Sequence, residues 1–227
     1  MLRIFLLLIF LCLLSCEKDN EDSCENLLCN LYCDNGYVLN ENGCEICQCI
    51  VSVFAGVYDA MFYYYELSPP MEIEKVWDNE NLYFEGEEFI DLDADGNNDI
   101  KFDIGGYNED KLNEYPFIFN HCTVTTFNNF EVFYYTETFY GGMGFVANED
   151  FVSRLDFNEL INGDANWYSG SNSIRMFYEN LYSMPYGDWY NSNGIYYIGI
   201  RKNHKYGWIQ FEMFDGWPTI ISYALEN

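Results

Sequence analysis

Ile195-Tyr196-Tyr197-Ile198-Gly199-Ile200-Arg201, then Lys202-Asn203-His204-Lys205, then Tyr206-Gly207-Trp208-Ile209-Gln210-Phe211-Glu212-Met213-Phe214 is the stretch on which the fold turns. Two runs rich in β-branched and aromatic side chains, separated by four polar residues, describe two antiparallel strands and their turn. A third run, ending at Tyr223-Ala224, continues the same pattern. Upstream the composition recurs as VFAGVYDAMFYYYEL from Val53, YPFIFN from Tyr115, CTVTTF from Cys122 and FEVFYYTETFY from Phe130, with Gly, Asn, Asp and Pro between. Short strands between turn signals predict a mainly β chain, with an all-β sandwich of jelly-roll-like type over residues 53–227. Helical periodicity is scarce; residues 148–160 offer one short helix, capped near Asn148. No repeat of constant period is present, which argues against a propeller or solenoid.

The chain of 227 residues carries a formal net charge of −27, and 20% of it is aromatic. Such a charge repels phosphate backbones and anionic headgroups, so nucleic acid and peripheral membrane binding are excluded as partners. Acidity of this degree often accompanies disorder, but 21 Tyr and 19 Phe supply ample apolar surface for a core.

The amino terminus reads as an address. MLRIFLLLIFLCLLS holds one positive charge, at Arg3, and an apolar run from Ile4 to Leu14 that is short for a bilayer span and suits a signal peptide over 1–15. Leu13-Leu14-Ser15-Cys16 resembles a bacterial lipobox, which implies cleavage before Cys16 and lipid on its thiol. Glu17-Lys18-Asp19-Asn20-Glu21-Asp22 is similar to the acidic export signal of Bacteroidota-type lipoproteins, within an acidic tether over 16–23. These resemblances imply an outer-membrane protein held through its N-terminal lipid and exposed at the cell surface.

Six cysteines crowd between Cys24 and Cys49, and in an oxidising compartment they read as three disulfides, with fifteen pairings open to sequence alone. Zinc at Cys44, Cys47 and Cys49 is disfavoured by the compartment and by the lack of a nearby histidine. Cys122 stands apart and reads as a buried free thiol. The spacing Cys24-x4-Cys29-x3-Cys33-x10-Cys44-x2-Cys47-x-Cys49, with Gly36-Tyr37 and Gly43 in place, resembles the antistasin-like domain over 24–50. The family's pairing implies Cys24–Cys44, Cys29–Cys47 and Cys33–Cys49. The resemblance also implies binding of a serine peptidase through the residue after the second cysteine, here Asn30, followed by Leu31. Family members that act on trypsin-like enzymes carry arginine there, and asparagine cannot pair with the acid of such a pocket. The alternative role is a rigid spacer, since the segment begins close to Cys16.

Asp91-Leu92-Asp93-Ala94-Asp95-Gly96-Asn97-Asn98-Asp99 places oxygens at alternate positions with glycine at the bend, as a Ca²⁺ loop requires. Asp91, Asp93 and Asp95 would bind through carboxylates, Asn97 through its carbonyl, and Asp99 directly or through water. Phe102 stands where an EF-hand needs glutamate, so the loop is closer to the DxDxDGxxD loops of secreted bacterial and thrombospondin-type proteins, and its calcium would be structural. An Asp/Asn-rich turn without metal is the plainer alternative. Tyr197-Ile198-Gly199, Tyr206-Gly207-Trp208 and Ser222-Tyr223-Ala224 resemble the closing pattern of a group of secreted bacterial β-domains, which implies the fold and export.

For catalysis the sequence offers little. His121 and His204 are the histidines, no nucleophile elbow, phosphate loop or zinc-binding pair is present, and the chain reads as a non-enzyme. The functions left open are peptidase binding through residues 24–49, adhesion or glycan binding through Trp167, Trp189, Tyr190 or Trp217, and an accessory role in an outer-membrane complex.

Overall fold

Runs rich in β-branched and aromatic side chains bounded by turn residues favour strands, and the quoted runs at 130–140, 195–201 and 206–214 are strands. The computed structural model describes residues 37–39, 44–49, 52–78, 80, 83–107, 120–140, 146–162, 165–170, 172–179, 185–214 and 216–227. The chain divides into two compact units, residues 1–51 and 52–227. The first contains β1 (Tyr37–Leu39) and β2 (Glu45–Cys49), paired antiparallel. The second runs through β3 (Val53–Phe54), β4 (Phe62–Glu72), β5 (Val76–Asp78), β6 (Tyr83–Ile90), β7 (Ile100–Tyr107), β8 (His121–Thr126), β9 (Phe130–Tyr140) and β10 (Val146–Val152). It continues with β11 (Leu160–Ile161), β12 (Trp167–Tyr168), β13 (Ile174–Glu179), β14 (Pro185–Tyr186), β15 (Gly194–Lys202), β16 (Lys205–Phe214) and β17 (Trp217–Glu226).

One sheet path runs β4-β17-β16-β15-β9-β10-β13-β8-β7-β6-β5. Its order comes from two meanders, β5–β8 and β15–β17, and β9 joins their halves. Residues 130–132 of β9 pair with β15, whereas 134–140 pair with β10, so this one strand belongs to both layers. The layers then face each other across a common core. Phe102 on β7 meets Phe211 on β16 edge to face at 5.3 Å, and Phe84 and Phe177 meet Trp217 the same way. The crossing from β8 into β9 uses Asn128 and Asn129, both left-handed at φ 52° and 63°, a conformation asparagine tolerates.

Each outer face carries a smaller apolar cluster. The β3–β11 ribbon covers one, where Val53, Ala55, Leu155, Ile161 and Trp208 are buried, and the Trp208 Nε1–H donates to the Val57 carbonyl at 3.0 Å. On the other layer Phe151 is fully buried among Tyr135, Phe139 and Tyr178.

The mainly β architecture agrees with the sequence pattern, and β15, β16 and β17 fall where the carboxy-terminal runs place them. The helix expected over 148–160 is not formed. Residues 146–152 are β10, fixed in register by the Thr136 hydroxyl donating to Asp150 (2.7 Å) and that of Thr138 to Asn148 (2.9 Å). Of the YPFIFN run, residues 115–119 lie outside the described residues.

Candidate metal centre and the disulfide segment

Loop residues 91–99 link β6 to β7, and backbone pairing fixes both ends. The Asp99 N–H donates to the Ile90 carbonyl at 2.8 Å, and Phe127 N–H donates to the Asp99 carbonyl at 2.7 Å. Asp91 folds the loop by accepting from the N–H groups of Asp95 (3.2 Å) and Gly96 (2.8 Å). That bend needs Ala94 at φ 57° and Gly96 at φ 89°, the second of which glycine adopts without strain.

The carboxylates of Asp91, Asp93 and Asp99 come together, with one oxygen from each within 4.8 Å of the others. Asp99 is fully buried, Asp91 is half-buried, and the Asp93 side chain is 26% exposed. Leu92 N–H donates to Asp99 Oδ2 at 2.8 Å, and Asn128 Nδ2–H donates to Asp99 Oδ1 at 3.2 Å. Burial nevertheless raises the Asp99 carboxyl above its ordinary value, and the charge of Asp93 adds to the rise. Lys202, at the end of β15, forms an ion pair with Asp93 and lies 4.7 Å over the Phe130 ring. Three acids around one point, one of them removed from water, could hold a metal ion; in its absence the Lys202 ammonium offsets part of their repulsion.

One of the four expected carboxylates stands apart. Asp95 accepts from the backbone and side-chain N–H groups of Asn97, at 2.8 and 3.0 Å, forming a local turn outside the three-carboxylate cluster. Sequence reading missed Lys202 and Asn128. Lys202 lies 109 residues from Asp93, and only the return of β15 to this end of the sheet brings the two together.

The other sequence candidates separate. His121 and Cys122 are neighbours on β8 and point to opposite faces, as alternation demands. Cys122 is buried in the core beside Met176, and burial holds its thiol far above the ordinary range, so it is neither a nucleophile nor a base partner. Trp189 is fully buried, its Nε1–H donating to the Val152 carbonyl at 2.9 Å, which removes it from any glycan platform. Trp167 is covered in part by Phe133, Tyr206 and Arg201.

In the first unit, Cys44 and Cys47 are each disulfide-bonded. Their implied partners Cys24 and Cys29, together with Cys33, Asn30, Leu31 and Cys16, lie outside the described residues, as does the side chain of Cys49. Comparison with known proteins finds a match to the antistasin family over residues 24–49. No curated protein and no solved structure matches the chain. Residues 24–49 are therefore an antistasin-like segment, followed in the sequence by a large all-β unit.

Proposed function

We propose that this chain is a non-catalytic cell-surface lipoprotein, anchored through lipid on Cys16, whose residues 24–49 bind a serine peptidase. The observation that carries the reading is the antistasin match over those residues. The disulfides at Cys44 and Cys47 support it, because a segment this short cannot bury a core and takes its order from crosslinks. Asn30 occupies the position that enters the peptidase pocket in the family. An uncharged side chain there, followed by Leu31 and Tyr32, suits an enzyme with an apolar pocket rather than an acidic one.

Asn30→Arg tests the scaffold. In soluble protein beginning at Glu17, this substitution should create inhibition of trypsin-like peptidases at least roughly 30-fold above the unaltered protein, the scale of one buried hot-spot residue. No gain with the disulfides intact would make the segment a spacer.

The β unit has a separate structural device. Asp91, Asp93 and Asp99 suit Ca²⁺, a hard cation that takes carboxylate oxygens, and its role would be to tie the β6–β7 loop to the sheet.

A further inference from the structure

β4 ends the sheet path on one side, and among the described residues only β17 pairs with it. Asn227 N–H donates to the Met61 carbonyl at 2.8 Å, so by alternation the backbone groups of Tyr63 and Tyr65 also turn toward β17. Those of Phe62, Tyr64 and Glu66 then turn outward along the free edge. The Phe62 N–H is engaged there by the Asp59 carbonyl at 3.1 Å. Tyr63 and Tyr65 stand opposite the core residues Leu225 and Tyr223, yet they are 41% and 46% exposed. The core is therefore open along this flank. Sheet edges are ordinarily kept short or guarded by lysine and proline. β5, at the other end of the path, has three residues, whereas residues 62–67 hold neither lysine nor proline. Pro69 and Pro70, which lack N–H groups, end the pairable stretch.

Charge and pattern decide what covers this edge. Residues 62–65 carry no charge, and Glu66 is the one charged side chain of the stretch in a chain of net charge −27. A highly charged segment finds little to pair with here, and a neutral aromatic strand does. The chain supplies such a strand in its own β4, turned antiparallel about a two-fold axis at Tyr64. In that register Tyr64 exchanges N–H···O=C bonds with its copy, and Glu66 N–H donates to the Phe62 carbonyl of the second copy. Tyr63 then lies opposite Tyr65 of the second copy, in a pair without backbone bonds where side chains approach most closely. The two Glu66 carboxylates face Phe62 rings and not each other. About 20 Å of edge takes part, roughly 1,000 Å² of surface in total, which places the contact at the weak end of specific interfaces.

We infer that the free edge of β4 is a self-association surface that joins two copies of the chain into one continuous sheet, independent of the peptidase-binding role of residues 24–49. The test is sedimentation velocity of the full chain in density-matched non-ionic detergent, up to about 200 µM, where a contact of this size assembles. The protein should pass from monomer to dimer, and no further, because a two-fold contact closes on itself. Raising NaCl from about 0.02 to about 0.5 M should favour the dimer, since salt screens the repulsion between two acidic chains. Glu66→Pro should weaken dimerisation by at least about tenfold, because it removes the Glu66 donor of each copy and leaves the β17 ladder untouched. Glu66→Gln keeps that N–H and should dimerise at least as well as the parent. Tyr63→Ala, which keeps every backbone donor, should weaken the dimer too, and the far-ultraviolet circular dichroism of all three variants should match the parent. A monomer at every concentration and salt overturns the inference. So does a dimer that salt disperses, a dimer that Glu66→Pro leaves intact, or growth beyond two copies.

Discussion

Phe102→Ala is expected to lower the unfolding free energy of the β unit by about 3–5 kcal/mol, measured by urea denaturation. Phe102 is fully buried on β7, and its ring meets Phe211 of the facing layer. Truncation removes the ring's transfer energy, leaves a cavity that strands on both sides cannot collapse into, and deletes an edge-to-face contact. Domains of this kind have about 5–15 kcal/mol in total, so the variant should lose a large share of its stability. Phe214→Ala, at the exposed hairpin end, should change stability by less than about 0.5 kcal/mol. A small effect at Phe102 would mean that the two layers do not share one core.

Calcium should raise the melting temperature of the unaltered protein, and Asp99→Ala should abolish that response. With about 2 mM Ca²⁺ and a dissociation constant of about 0.1 mM, in the range of extracellular modules, linkage gives roughly 1.8 kcal/mol, or roughly 4–7 °C. Asp99→Ala should also destabilise the ion-free protein by about 1–3 kcal/mol, because Leu92 N–H loses its buried acceptor. Lys202→Met should increase calcium affinity, since an entering ion no longer displaces an ammonium from Asp93. The pH dependence has a defined sign. Burial raises the folded pKa of Asp99 above its ordinary 3.8, so its contribution to stability is complete below that value and is lost as pH rises through the folded pKa. Without calcium, the unaltered protein should therefore lose stability relative to Asp99→Asn over that rise, and calcium should suppress the loss. Differential scanning calorimetry with calcium and with chelator reads both effects.

Much of this was legible in the sequence because strands record their burial locally. The β15–β16–β17 meander follows directly from three aromatic runs and the turn at Lys202–Lys205. The acidic loop announced itself by its spacing, and Asp91, Asp93 and Asp99 do converge. What the sequence concealed depends on pairing at a distance. The polar stretch after Val146 read as a helix because its partners Thr136 and Thr138 lie on another strand. Lys202 and Asn128 entered the acidic cluster through sheet return and a layer crossing, neither of which has a local signature. Trp189 looked like an available binding surface until its indole N–H was found to donate to Val152 inside the core.

The most direct test of the proposed role is inhibition of a panel of serine peptidases by the unaltered soluble protein beginning at Glu17, with its disulfides intact. The account predicts nanomolar to sub-micromolar inhibition of at least one enzyme that prefers leucine, tyrosine or another uncharged residue, with loss of inhibition on reduction. No inhibition and no complex with any member of the panel would contradict it.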